Sequence, residues 1–162
     1  MASFVYHKAM AVFCAQESGK SIDWDASSDG VIQILLTKAD AQTSANDTEG
    51  ADRKYVGEIT TLGENGGSGY VRKDLPNRSL TLAGDASNQQ EFDSDDVLWT
   101  SLVSDGTANA IAGGVVHQVS GSDGVNELIC WVDLGDVVVN GVDFTIQFAT
   151  EGVFKTVAQS AP

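Results

Sequence analysis

The chain is poor in several things that would narrow its chemistry. It has two cysteines, Cys14 and Cys130, and neither has a second Cys or a His at metal-ligand spacing, so a zinc site is not expected. Both stand in apolar runs, where Cys acts as a small hydrophobe; one Cys14–Cys130 disulfide stays open as an alternative. The two histidines, His7 and His117, lie in apolar surroundings, and no serine sits in a nucleophile-elbow motif. No apolar run reaches membrane-spanning length, so no membrane partner is expected. Phe4 to Phe13 is interrupted by Tyr6, His7 and Lys8, and no cleavage-like site follows it. No signal peptide is therefore read, and synthesis in the cytoplasm is expected. Positive charge is also scarce: nine Lys and Arg stand against 23 Asp and Glu, a net charge of −14. Such a surface repels phosphate backbones and argues against nucleic-acid binding.

What positive charge there is lies unevenly. Arg53, Lys54, Arg72, Lys73 and Arg78 supply five of the nine bases, diluted locally by Glu58, Glu64 and Asp74; beyond Arg78 only Lys155 remains. The plainer reading is a solvated acidic surface with local charge balance. The sharper one is a basic face that docks on an acidic partner or on a neighbouring copy, and these five residues are the candidate interface.

Two prolines and 17 glycines in 162 residues suit one β-rich domain with many tight turns. The segment from Ala108 to Gly135 organises the rest. Two apolar runs flank Ser120-Gly121-Ser122-Asp123-Gly124, which predicts a hairpin. Leu128 to Val132 is apolar at every position, so it is placed in mid-sheet with both faces covered. Val31 to Thr37 reads the same way. Further short strands are expected at Tyr70–Lys73, Ser79–Leu82, Glu91–Phe92, Val97–Leu102, Phe144–Phe148 and Gly152–Phe154. Tyr55 to Leu62 reads as an edge strand or a turn of helix. Val5, Ala9, Val12 and Phe13 recur at helical spacing, which predicts a helix over Phe4–Glu17, capped by Ser3 and stopped by Gly19. Residues 38–54 have no periodicity and read as a flexible arm or loop. The expected fold is mainly β: an antiparallel sandwich or barrel-like domain with one N-terminal helix.

Three segments invite chemistry. Gly63 to Gly69 suggests a phosphate cradle, but no Lys-Ser/Thr pair follows and Glu64 would repel an anion. Asp93, Asp95 and Asp96 are suited to Ca²⁺ in residue type but not in spacing; the expected role is an acidic turn with side-chain to backbone bonds. Asp23 and Asp25 flank Trp24 as in a carbohydrate site. Strand alternation instead puts Trp24 in the core and both acids in water. Trp99 and Trp131 are expected in the core as well. No catalytic residue and no cofactor is expected.

Several blocks together resemble small virion proteins of tailed bacteriophages: Ile22-Asp23-Trp24-Asp25, Leu35-Leu36-Thr37, Gly67-Ser68-Gly69-Tyr70, Phe92-Asp93-Ser94-Asp95-Asp96-Val97-Leu98-Trp99-Thr100, Gly141-Val142-Asp143-Phe144-Thr145-Ile146 and Glu151-Gly152-Val153-Phe154. The chain departs from that pattern at Ile111-Ala112-Gly113-Gly114-Val115-Val116, where the family carries an Ala-hydrophobic-Tyr run. The resemblance implies a non-enzymatic structural protein located in the virion. The first expectation is a capsid decoration or cement protein, a homotrimer bound to the major capsid protein or another virion protein. A tail, neck or receptor-binding component is the alternative, and a small carbohydrate-active enzyme the third reading.

Overall fold

The structure is a computed structural model that describes residues 4–6, 24, 31–38, 53–83, 89–105, 110–149 and 152–157. It is mainly β. Among the described residues ten strands occur: β1 (Phe4–Val5), β2 (Val31–Thr37), β3 (Lys73–Asp74), β4 (Ser79–Ala83), β5 (Gln89–Asp93), β6 (Val97–Val103), β7 (Ile111–Val119), β8 (Leu128–Val137), β9 (Asn140–Ile146) and β10 (Phe154–Val157). The only helical element among the described residues is a 3-10 helix, Val56–Leu62. All pairings are antiparallel and form three sheets, in the orders β1-β8-β7-β2-β3, β10-β5-β4 and β6-β9.

The expected hairpin is the β7–β8 pair, and the middle of the largest sheet is β8, β7 and β2. Their near-continuous apolar sequences follow from burial on both faces. One face carries Ile32, Ile34, Leu36, Val116 and Ile129 into a core that also draws Trp24 and Phe92, Val97, Trp99, Leu102 and Ile146 from outside this sheet. The other face carries Leu35, Ala112, Val115, Leu128 and Trp131 into a smaller core closed by Tyr6 and by Val56 and Ile59 of the 3-10 helix. Of the segment Tyr55–Leu62, Val56–Leu62 is thus a helical cover, and Tyr55 makes a single antiparallel bridge to Glu127.

The glycines at 113 and 114 in β7 have a packing reason. The Trp131 indole lies over Gly113, where a Cβ would fall 2.1 Å from ring carbons; at Gly114 it would fall 2.7 Å from Ile34 Cδ1. Both contacts are far inside van der Waals separation, so the large side chains on neighbouring strands require bare backbone here.

The N-terminal segment corrects the sequence reading. Phe4 and Val5 form strand β1, opposite Trp131 and Cys130, and the Tyr6 N–H donates to the Ile129 carbonyl at 3.0 Å. Val5 packs on the larger core and Tyr6 is buried in the smaller one, so successive side chains point to opposite faces, as in a strand. Pairing with β8 satisfies backbone groups that a lone helix would leave unpaired, and Phe, Val and Tyr all suit strands. The remainder of the expected helix lies outside the described residues, as does nearly all of the expected arm, positions 39–52.

Strand β6 joins the parts. Its ladder with β9 is interrupted between Trp99 and Leu102, where Ser101 takes a φ of 50°. Positive φ is costly for a residue with a Cβ. The Asp143 carboxylate accepts the Ser101 N–H at 3.0 Å, and Gly69 packs so closely on the Ser101 carbonyl that a Cβ there would lie 2.6 Å from it. Gly67 approaches the Val103 carbonyl still more closely. The glycine-rich segment is therefore a backbone-to-backbone packing surface along β6, fixed by the Val103 N–H on the Ser68 carbonyl at 2.8 Å.

Trp24 and Trp99 are buried, and each indole N–H is satisfied by a carbonyl: Trp24 on Asp93 at 3.0 Å, Trp99 on Val71 at 2.8 Å. Trp24 also meets Phe92 and Phe154 edge-on, with centroids 5.4 Å apart in both cases. It is a core residue, as the alternation implied; Asp23 and Asp25 lie outside the described residues.

Two substitutions test the tight packing in the middle sheet. Trp131→Ala should cost about 3–5 kcal/mol, the range for a large aromatic removed from a core. Gly113→Ala should cost about 1–3 kcal/mol by overpacking against the ring. Urea denaturation midpoints measure both; a Gly113→Ala protein as stable as the parent would contradict the described contact.

Candidate functional site

The densest polar cluster lies on the face of the middle sheet that carries the smaller core. Arg72 is its centre. Its Nε and Nη2 donate to Glu64 at 2.9 and 2.7 Å, and its Nη1 and Nη2 donate to Asp123 at 2.6 and 2.8 Å. Both carboxylates are thus held by two bonds from one planar guanidinium, a geometry lysine cannot supply. The Tyr70 hydroxyl donates to Glu64 at 2.5 Å and accepts the Leu36 N–H at 3.1 Å. Asn126 orders the other partner: its amide donates to Asp123 at 3.3 Å, and its carbonyl oxygen accepts the Ser120 and Gly121 N–H groups.

These groups come from distant parts of the sequence. Glu64, Tyr70 and Arg72 stand on the segment that runs along β6, while Asp123 stands on the β7–β8 turn, 51 positions after Arg72. Beside them opens a pocket of about 150 Å³, lined by Leu35, Thr37, Val56, Ile59, Glu64, Arg72 and Asp123. It has an aliphatic floor and a charged rim.

Electrostatics follow the bonds. The hydrogen bonds that Arg72 donates to Asp123 and then to Glu64 push its guanidinium pKa still higher. Burial alone would raise the Glu64 carboxyl, but the bonds from Arg72 and Tyr70 outweigh it and hold it below its ordinary value. The Arg72 bonds likewise lower Asp123 against a smaller burial effect. Burial, then Glu64, drives the Tyr70 hydroxyl up.

His117 lies in β7 opposite Gln33, on the same face as the Val115–Leu35 pair and hence on the side of the cluster. It is fully buried, and neither ring nitrogen has a hydrogen-bond partner. Burial and, secondarily, the Arg72 charge lower its pKa to about 4. At neutral pH it is a neutral imidazole in a dry place.

The five candidate interface residues meet different fates. Arg72 is committed to Glu64 and Asp123. Arg78 donates to the carbonyls of Trp24 and Leu75, both at 3.2 Å, and so ties the aromatic corner. Lys54 is exposed, Arg53 beside it is half-buried, and Lys73 is half-buried on the short strand β3. The sequence shows five like charges in one segment; the fold directs two of them inward.

The acidic turn disperses in the same way. Asp93 accepts the Ser94 N–H at 2.8 Å, Asp95 accepts the Asn77 amide at 2.6 Å, and Asp96 accepts the Phe148 N–H at 3.1 Å. Among the described residues no three His, Cys, Asp or Glu side chains converge as a metal site. Cys130 is a free thiol, buried and with its pKa pushed up by that burial, and Cys14 lies outside the described residues.

Comparison with known proteins found no family model that matches the chain, no curated protein similar to it in sequence and no solved structure similar to it in fold.

Sequence reasoning missed this cluster. In the sequence Glu64 reads as a repellent of anions and a diluter of nearby bases, and Arg72 as one charge of the candidate interface; neither reading names Asp123 as a partner. The one local signal was a histidine inside an otherwise apolar strand. Arg72→Ala leaves two half-buried carboxylates facing each other, and it should destabilise the protein by about 1–3 kcal/mol, between the values for exposed and fully buried pairs. A Glu64→Gln, Asp123→Asn background should shrink that cost. Thermal or urea unfolding of the series reads both effects.

Proposed function

We propose that this protein is a non-enzymatic structural component of a tailed-phage virion, a decoration or cement protein that binds the outside of the head shell as a homotrimer. The three antiparallel sheets are, in the same reading, a β-sandwich of the kind that serves as a rigid cap. The observation that supports it is the way the resembling blocks meet. Gly69 and Asp143 both fix the Ser101 bulge, immediately after Trp99-Thr100. Tyr70 accepts the N–H of Leu36, in the Leu-Leu-Thr block. Trp24 donates to Asp93, and the Val153 N–H donates to the Phe92 carbonyl at 2.8 Å. Blocks that are far apart in sequence are thus the joints of one fold.

Among the described residues of these blocks, Trp24, Tyr70, Asp93, Ser94, Asp96, Trp99 and Asp143 all bond backbone groups, which suits a scaffold better than a catalyst. The net charge of −14 suits a particle surface that stays soluble. Exposed Lys54 and half-buried Lys73 are the bases of the candidate face best placed to meet an acidic shell or a neighbouring copy.

Quantified protein bands from purified particles test the location. A copy number comparable to that of the major capsid protein is expected. A handful of copies per particle would move the protein to the tail or neck, and absence from particles would overturn the virion reading. For the docking face, Lys54→Glu with Lys73→Glu should weaken binding to particles lacking the protein at low salt. The difference should vanish near 1 M salt, where the Debye length is about 3 Å. Arg72 is left intact in this test because its loss disrupts the fold itself. Undiminished occupancy of the double variant at low salt would show that another face docks.

A further inference from the structure

The cluster around Arg72 closes a door over a buried imidazole. Three segments converge on the same face of β2 and β7. The 3-10 helix is tied to the β7–β8 turn by the Val56 N–H on the Asn126 carbonyl and the Gly57 N–H on the Asp123 carbonyl, at 2.9 and 2.8 Å. The Glu64–Arg72 segment is tied to β2 by the Asn65 N–H on the Leu36 carbonyl and by the Lys38 N–H on the Gly63 carbonyl, at 2.8 and 2.9 Å. Arg72 then joins this segment to the turn through Asp123. Under these covers sits His117, fully buried and without a hydrogen-bond partner.

We propose that this clasp is an acid-sensitive latch: protonation of His117 favours release of the Glu64–Arg72 segment and the β7–β8 turn from the Leu35–Val56–Ile59 floor, while the other two sheets stay closed.

The charged groups that face His117 fix the direction. Arg72 disfavours a second cation there; Glu64 and Asp123 favour one, but both are already bound to Arg72. Tyr70 stays neutral, and the 3-10 helix adds only Glu58, which is exposed and accepts the Lys54 N–H. The Gln118 backbone favours the imidazolium too, but less than burial and Arg72 oppose it. Opening hydrates the ring and restores its ordinary basicity. The closed state therefore holds fewer protons than the open one between about pH 6.5 and the closed-state value near 4, and closure weakens as pH falls through that window. Protonation of Glu64 and Asp123, whose values are lowered in the closed state, adds to the same effect at the acid end.

Amide hydrogen exchange at single-residue resolution tests this in the intact chain. Corrected for intrinsic chemistry, exchange at Lys38, Val56, Gly57 and Asn65 should speed up roughly 50- to 100-fold between about pH 7.5 and about pH 4.5. Amides in the β4–β5 and β6–β9 ladders should not change. Equal acceleration everywhere would mean global acid destabilisation, and no acceleration at the four reporters would mean no latch; either result overturns the proposal. His117→Gln should flatten the dependence, and a dependence as steep as in the parent would overturn it. If that variant does not fold, His7→Gln decides, because the chain has two histidines. A retained dependence supports His117, and a lost one refutes it.

Discussion

Burial on both faces of β2, β7 and β8 is the constraint on which the rest of the structure depends. A strand that is apolar at every position cannot leave either side to water without forfeiting most of its hydrophobic free energy, roughly 25 cal/mol for each Å² left exposed. One side is closed by elements of the other two sheets together with Trp24. The other is closed by smaller pieces: Tyr6, the 3-10 helix, and the polar cluster at its edge. The fit is close enough that β7 carries no side chain beneath the Trp131 ring. Precise packing of this kind narrows the ways the segments can assemble, because an interior at crystal-like density tolerates little change in volume.

The second organising feature is a strained joint. Ser101 breaks the β6–β9 ladder with a positive φ, and its conformation is held by a carboxylate from β9 and by a glycine from the segment that covers the opposite edge of β6. That segment, running from Gly63 to Arg72, has two jobs. Its glycines let backbone approach backbone along β6, and its Glu64, Tyr70 and Arg72 reach the middle sheet. One stretch thus couples the small two-stranded sheet to the turn of the central hairpin, through hydrogen bonds on one side and ion pairs on the other.

Much of this was legible in the residues. Val31 to Thr37 is a strand over the expected span, and its central place follows from the absence of any polar alternation. The turn between β7 and β8 was visible as Ser-Gly-Ser-Asp-Gly, and Trp24 as core from its alternation with two acids. Two kinds of information were not local. The Phe4–Val5 strand was hidden because Val5, Ala9, Val12 and Phe13 also satisfy a helical period; what decides the matter is the free edge of β8, more than a hundred positions away. The Arg72 cluster was hidden because charge counts do not name partners. A bidentate contact with Asp123 turns a basic residue that looked available for docking into part of the fold. The expected strands at Tyr70–Lys73 and Ser79–Leu82 follow one another in sequence, yet β3 and β4 belong to different sheets. Only tertiary pairing separates them.

If burial on both faces governs this fold, the doubly covered middle sheet is the last part of the molecule to open. Native-state hydrogen exchange followed over increasing, sub-denaturing urea measures this directly. Amides of Leu35, Val115, Val116 and Cys130 should exchange only through the largest opening, with a free energy and urea dependence equal to those of global unfolding. Amides of the β6–β9 ladder should exchange through smaller openings. The central claim would be contradicted if the β2, β7 and β8 amides exchanged at lower free energy than those of β6 and β9.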